Sequence, residues 1–421
     1  MNRTEPSNQT SKSILTLITG TSIAQAIPIA ISPILTRIYT PEQFGLFALY
    51  ISLISIISII ATGRYELAIM IPRKDIDAAN ITILSISITA YSSLALMISV
   101  FFLNGTISRL LGNPEIKTWL YLIPFSVLIT GIYQSLYYWC NRKRDYKSIA
   151  RNRIYQTGTT SSTQLLCGVS GLSAIGLIGG SLIGQLISLI SLTTTVWKED
   201  HDTFKKTHRL NKIALAKRFS DFPKFLILSH MLNSAAAQST IILMNVLFSS
   251  ASAGFFALTQ RVISTPASII AKSIGDVFRQ EASHAYTHNG NCQKVYIKTL
   301  KKLFYISTVP FIVFYYTAPT LFEFIFGSHW KISGHYAQIL TPMFYLRFNL
   351  SPLSTMFMIA EKQKQDLLWQ TILFSLIIIS FIFGHYFKDL LFSLKAISGS
   401  YSVMFIINGL MTWKFSKGKN I

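Results

Sequence analysis

Apolar runs of roughly 20 residues recur along the whole chain, each closed by a short tract of charge, and a run of that length is what a helix needs to cross a hydrocarbon core about 30 Å thick. Breaking the 421 residues at the charged tracts gives twelve spans: 13–35, 44–71, 81–103, 120–140, 154–169, 174–196, 225–247, 254–273, 303–326, 336–360, 367–383 and 390–413. Inside lipid a segment must satisfy its own backbone polar groups, so runs of this length are read as helices. The expected class is an all-α polytopic membrane protein with about 12 transmembrane helices.

Composition agrees: 50% of the residues are hydrophobic and 13% charged, against about a quarter charged in soluble domains. A net charge of +21 would suggest nucleic acid in a soluble chain. Here the basic residues alternate by loop, which excludes that reading. Of the 38 lysines and arginines, 28 fall on one side of the map, from Arg3 and Lys12 through the 142–153 and 198–224 tracts to Lys419. Arg37, Arg109, Lys117, Lys331 and Lys388 fall on the other. The positive-inside rule puts the basic loops, and both termini, in the cytoplasm. Ala24-Gln25-Ala26 imitates a signal-peptidase site, but the apolar run continues to Leu35, so an uncleaved first helix is expected.

The chain also repeats itself. Gly45-Leu46-Phe47-Ala48-Leu49 is echoed by Gly254-Phe255-Phe256-Ala257-Leu258, and Asn141-Arg142-Lys143-Arg144 by Glu361-Lys362-Gln363-Lys364, each of the latter pair following the fourth span of its half. Six spans separate the copies, so the halves run parallel, related about an axis along the membrane normal. This divides the chain into an N-terminal six-helix lobe (13–196), a basic cytoplasmic linker (197–224) and a C-terminal six-helix lobe (225–413).

Catalytic signatures are scarce. Cys140, Cys167 and Cys292 form neither a disulfide framework nor a CxxC pair. His284 and His288 are spaced like two ligands on one helix but have no third and read as a solvated loop, so no metal or other cofactor is expected. HExxH, GxSxG and Walker A sequences are absent. The outer loops are too short for an extracytoplasmic active site, and the chain does not read as an enzyme.

Charges inside the apolar runs carry more information, because each costs a few kcal/mol at mid-membrane and so usually faces a cavity. Arg347 lies near the centre of its span, Arg261 about 10 Å into its own, and Arg64 with Glu66 in the inner half of the second. Lys272 and Lys395, near span ends, read as snorkelling side chains. A cavity lined by guanidinium attracts anions, and the planar fork of arginine suits phosphate. The alternative is an arginine satisfied by the backbone carbonyls of a broken helix, which Pro266 and Pro352, five residues past Arg261 and Arg347, make possible, while Pro28 and Pro33 predict a bent first helix.

Thr36-Arg37-Ile38-Tyr39-Thr40-Pro41, Gly63-Arg64-Tyr65-Glu66-Leu67-Ala68-Ile69, Asp221-Phe222-Pro223, Gly254 to Val262 and Phe326-Gly327-Ser328-His329-Trp330 together make the chain, from about Ser13 to Trp413, resemble the Wzx-type O-antigen and oligosaccharide flippases. Those are polysaccharide biosynthesis proteins of the multidrug, oligosaccharidyl-lipid and polysaccharide exporter superfamily. The resemblance implies two six-helix lobes around a central cavity, in the inner membrane of a bacterial cell. It implies movement of an undecaprenyl-pyrophosphate-linked repeat unit from the cytoplasmic to the periplasmic leaflet by alternating access. Candidate partners are the lipid-linked oligosaccharide, membrane lipids, a coupling ion (proton or sodium) and a polysaccharide polymerase. Arg347, Arg261 and Arg64 are the expected pyrophosphate-binding residues, with Glu66 coupling an ion or holding Arg64. The rival functions are an ion-driven drug exporter of the same superfamily, which would favour buried carboxylates, and an integral-membrane polymerase, which would need a long periplasmic loop.

Overall fold

The computed structural model describes residues 8–418, all of whose regular elements are helical. Arg3 and Lys419 of the charge count, and both chain ends, lie outside the described residues, as does the side chain of Lys12. Two compact units are present, one up to Gly254 and one from Phe255 onward.

The first unit contains α1 (Asn8–Ile38), α2 (Pro41–Ala61), α3 (Tyr65–Ala68), α4 (Asp75–Leu110), α5 (Ile116–Leu120), α6 (Ile123–Arg142), α7 (Tyr146–Val169), α8 (Ser173–Lys205), α9 (Arg209–Arg218) and α10 (Ile227–Leu247). Helix α1 continues through Pro28 and Pro33, with the Ser32 and Thr36 hydroxyls donating to the carbonyls of Pro28 and Pro33. It stops where Thr40 caps α2: Thr40 and Gln43 form a reciprocal capping box and Pro41 takes the first helical turn. Tyr39, in that turn, donates 2.6 Å to the Gln164 carbonyl of α7, and Gly168 and Gly176 give its ring room. Between membrane helices the hydrophobic effect supplies no drive, so such small-residue contacts set the packing. Gly131 on Thr89 and Gly184 on Thr160 repeat the device.

The second unit comprises α11 (Ser250–Asn289, whose first turn belongs to the first unit), α12 (Gln293–Phe326), α13 (Lys331–Leu350), α14 (Met356–Ile359), α15 (Gln363–Tyr386) and α16 (Leu390–Ser416). Its core joins Phe278, Tyr296, Phe348, Leu353 and Met356. Between α13 and α14 the chain tightens into a 3-10 turn over Ser351–Thr355, a break that Pro352 makes possible.

Nine helices among the described residues are long and apolar enough to cross a membrane. The chain is a multi-pass membrane protein. The three remaining expected spans fall on α7, α11 and α13, which have the length (24, 40 and 20 residues) but a more polar composition.

Element order supports the repeat. Gly45 is the fifth residue of α2 and Gly254 the fifth of α11. Arg144 after α6 and Glu361 after α14 both adopt the left-handed conformation (φ 58° and 57°), as do Gly171 and Lys388 in the next turn of each half (φ 76° and 54°). A left-handed residue is a rare choice outside glycine, so its recurrence at matched places marks a shared local design.

The stretch 197–224, read from its charges as a linker, is largely helical. Helix α8 runs on to Lys205, and α9 is pinned to the first unit by Tyr65 donating to the Ala216 carbonyl (3.1 Å) and by the His208 amide donating to Asn80 (3.1 Å). The tract after α6 is knotted too. Arg142 donates to the Ile69 and Pro72 carbonyls and to Asp75, while Lys143 bridges Asp75 (2.7 Å) and Asp200 (3.2 Å). Burial works against the Lys143 ammonium, and its hydrogen bonds to Asp75 and Asp200 outweigh that, so its pKa is raised. A raised lysine pKa contributes stability below the ordinary value and loses it only as pH climbs past the raised one, so the knot is intact throughout the neutral range.

Candidate functional site

Helix α2 ends at Ala61 instead of continuing to Ile71. Gly63 and Arg64 both take positive φ (61° and 58°), a conformation that disfavours side chains, and α3 restarts at Tyr65. The turn does what a helix could not: residues two apart point in different directions on a helix, yet here the Arg64 guanidinium reaches the Glu66 carboxylate at 3.1 Å. Glu66 is fully buried, the one charged residue in that state among the described residues, and the Arg64 side chain is 13% exposed. One atom on each side chain, Arg64 Nε and Glu66 Oε2, is buried without a hydrogen-bond partner. Arg64 therefore does not snorkel to the headgroups. Removing it alone would leave an uncompensated buried carboxylate, at a cost of about 3–5 kcal/mol.

Around the pair the structure gathers groups that spacing did not single out. Tyr138 on α6 and His230 on α10 lie within electrostatic reach of both Arg64 and Glu66. Along α6, Tyr137 packs edge-on against Tyr138 (ring centroids 5.5 Å) and Tyr133 lies 6.3 Å from Tyr137. The guanidinium of Arg153, from the first turns of α7, covers the Tyr137 ring at 5.6 Å. Counting Arg153 among loop charges hid it; the four-residue step from Tyr133 to Tyr137 was the available signal.

Arg261 and Arg347 belong to the second unit. Arg261 is half-buried on α11, which continues past Pro266 without a break. Arg347 is exposed on α13, one turn ahead of the 3-10 segment, with its carbonyl accepting from the Ser351 amide and Tyr401 within electrostatic reach. Lys272 and Lys395 are exposed. His284 and His288 sit on α11, ring centroids 4.3 Å apart, and not in a loop as the sequence suggested. Among the described residues no cluster of three metal-ligating side chains occurs.

At the end of the first unit away from the basic tracts, α10 and the first turn of α11 pack against α2. A methyl group on Gly45 would overlap the Ser250 carbonyl, and one on Gly254 that of Pro41. Asn113 donates to Ser250 (2.7 Å) and Asn245 (3.3 Å), and Ser52 donates to Gln238 (3.0 Å).

The chain matches the family model described as polysaccharide biosynthesis protein over residues 34–334. No curated protein matches it in sequence. Among solved structures it resembles a lipid II flippase MurJ in an inward closed conformation (16% identity, TM-score 0.76, covering 95% of this chain and 87% of that one). It also resembles an inward-facing multidrug resistance MATE family transporter of the MOP superfamily (14%, TM-score 0.73, 92% and 93%). A third likeness is to a MOP superfamily transporter from Pyrococcus furiosus described as having a binding pocket of reverse polarity (14%, TM-score 0.58, 96% and 95%).

Proposed function

Since the chain belongs to the polysaccharide biosynthesis protein family and shares the fold of the MOP transporters, we propose that it is a flippase for an undecaprenyl-pyrophosphate-linked oligosaccharide, an O-antigen or similar repeat unit. It moves this lipid from the cytoplasmic to the periplasmic leaflet of a bacterial inner membrane by alternating access. No covalent chemistry is needed, so the protein is not an enzyme.

The observation that carries this reading is the sign of the deep charge. Arg64, Arg261 and Arg347 all lie within the expected spans, and the carboxylate beside Arg64, Glu66, is already engaged by it. A passage of that polarity favours a pyrophosphate and disfavours cationic drugs, which weighs against the drug-exporter reading. The membrane potential assists: a dianionic head leaving a negative interior gains about 4.6 kcal/mol per 100 mV. Glu66 holds Arg64 and is the candidate for coupling to a proton or sodium ion. The lobes are 13–196 and 225–413 with the basic stretch 197–224 between them, and α10 and the start of α11 pack on the first lobe in the present conformation.

Purified protein in liposomes containing a defined lipid-linked oligosaccharide should render that lipid accessible to an outside glycan-modifying reagent faster than protein-free vesicles do. Equal rates would sink the flippase reading. Orientation is checked separately: reporters fused near Lys212 should report cytoplasm and those near Gly112 periplasm, and a periplasmic signal at Lys212 would overturn the positive-inside assignment.

A further inference from the structure

The first unit holds more recognition chemistry than a pyrophosphate needs. On α6, Tyr133 and Tyr137 are one turn apart and Tyr138 flanks Tyr137, and all three rings are half-buried. Their inner sides pack on the core that contains Leu136, Trp139 and Cys140. They lie toward the basic end of the helix, with Tyr138 about one turn before Arg142. Arg153 stands over Tyr137, and Arg64 with Glu66 lies within electrostatic reach of Tyr138. The surface therefore offers a cation, an aromatic pair, and a cation with its carboxylate.

Each part has a use in binding a sugar phosphate. A guanidinium lying on a ring presents its edge donors; one side of Arg153 meets the Tyr133 side chain, and the rest can fork a phosphate. Tyrosine offers a large rigid face at little conformational cost and a hydroxyl at its rim, which suits the mixed apolar and polar faces of a hexose. Glu66 is wholly buried and its Oε2 accepts from no donor. Gln134 Oε1, on α6 between Tyr133 and Tyr137, is likewise a buried acceptor without a donor. Unmet acceptors beside arginines call for a ligand that brings hydroxyl or amide donors as well as anionic oxygens, and a pyrophosphate alone brings only the latter.

We infer that Arg153, Tyr133, Tyr137 and Tyr138, together with the Arg64–Glu66 pair, form a sugar-phosphate subsite on the first unit, in which the arginines take the phosphates and the tyrosines stack on the sugar attached to them. This rests on the flippase reading above and adds to it a sugar-recognising surface that involves neither Arg261 nor Arg347.

The full-length protein in lipid nanodiscs tests it with two probes, undecaprenyl pyrophosphate and undecaprenyl pyrophosphate bearing one N-acetylglucosamine. The parent should bind the glycosylated probe about fivefold or more tightly than the bare one. Tyr137→Leu with Tyr138→Leu should erase that preference while leaving affinity for the bare probe within about twofold; Tyr137→Phe with Tyr138→Phe should keep it, since the ring faces survive. Arg153→Gln should weaken both probes by about tenfold and leave their ratio unchanged. A preference that persists in the double Leu variant, or is absent in the parent, overturns the subsite. Parent protein that binds neither probe instead removes the flippase reading on which it rests. Tyrosines serving only as an interfacial belt would lower insertion in the Leu variant without touching the ratio, and that result also overturns the proposal.

Discussion

Arg347→Ala should cut flipping per inserted molecule by tenfold or more while leaving the folded protein as stable as the parent. The expectation combines two facts of position. Arg347 lies near the middle of the run from α13 through α14, where an unneeded charge would cost a few kcal/mol. Its side chain is also exposed, not locked in packing, so truncation creates no cavity, and substitutions of that kind usually change stability by about 0.5 kcal/mol or less. Arg347→Lys should keep part of the activity, because the charge survives and only the planar donor fork is lost. Arg347→Glu should be at least as poor as Ala. Were the residue a packing element, Lys and Ala would both fail through lower abundance. Arg64 is the weaker choice for this test, since its loss would strand buried Glu66. If Arg347→Glu transports as well as the parent at equal abundance, the cationic passage loses its best residue.

Gly45→Ala and Gly254→Ala should each release α10 and the start of α11 from α2. The overlapped groups are the backbone carbonyls of Ser250 and Pro41, and a carbonyl cannot rotate away as a side chain can. Overpacking of this kind costs about 1–3 kcal/mol. A contact made in one conformation only would pass that cost straight into the equilibrium, a shift of roughly 5- to 150-fold. The two glycines are also counterparts in the repeat. Ser52→Cys with Gln238→Cys, in a background lacking the three native cysteines, reports the packing through a short thiol-reactive cross-linker, as the parent side chains meet at 3.0 Å between Ser52 Oγ and Gln238 Oε1. The yield should fall several-fold in either alanine variant; an unchanged yield in both would show that the crossing tolerates a methyl group.

Much of the architecture could be read from hydropathy because lipid enforces length: a span too short or too charged does not insert. The reading failed where charge and backbone geometry part company. Residues 197–205 and 274–289 are basic or mixed in charge, which marks them as outside the hydrocarbon, but charge on a solvated helix costs nothing and α8 and α11 simply continue. The second span was drawn to Ile71 because Tyr65 to Ile71 is apolar enough; Gly63 was the only hint that the helix stops, and its left-handed turn carries Arg64 with it. For the same reason the Arg64–Glu66 pair was recognisable as two charges but not as one bond. Pro352 was legible, since a proline removes a donor wherever it stands, whereas Pro28, Pro33 and Pro266 are absorbed within continuous helices. Arg153 shows the opposite limit: its place in a basic tract concealed that α7 begins early enough to lay it on Tyr137.

The pinned helix α9 has a mechanical consequence. A slack tether between two moving parts passes on tension only when stretched, and it never passes on rotation. Here the chain leaves α8 and α9 as stiff rods, and only a few residues, closing in the π-helical turn Phe222–Leu226 with Pro223, separate α9 from α10. Turning α10 therefore applies torque to α9, and α9 grips the Tyr65 hydroxyl through Ala216, one residue beyond the strained turn at Arg64. A swing of α10 is therefore expected to twist the guanidinium of Arg64, which accessibility of a cysteine at Tyr65 in the two directions of transport would read out.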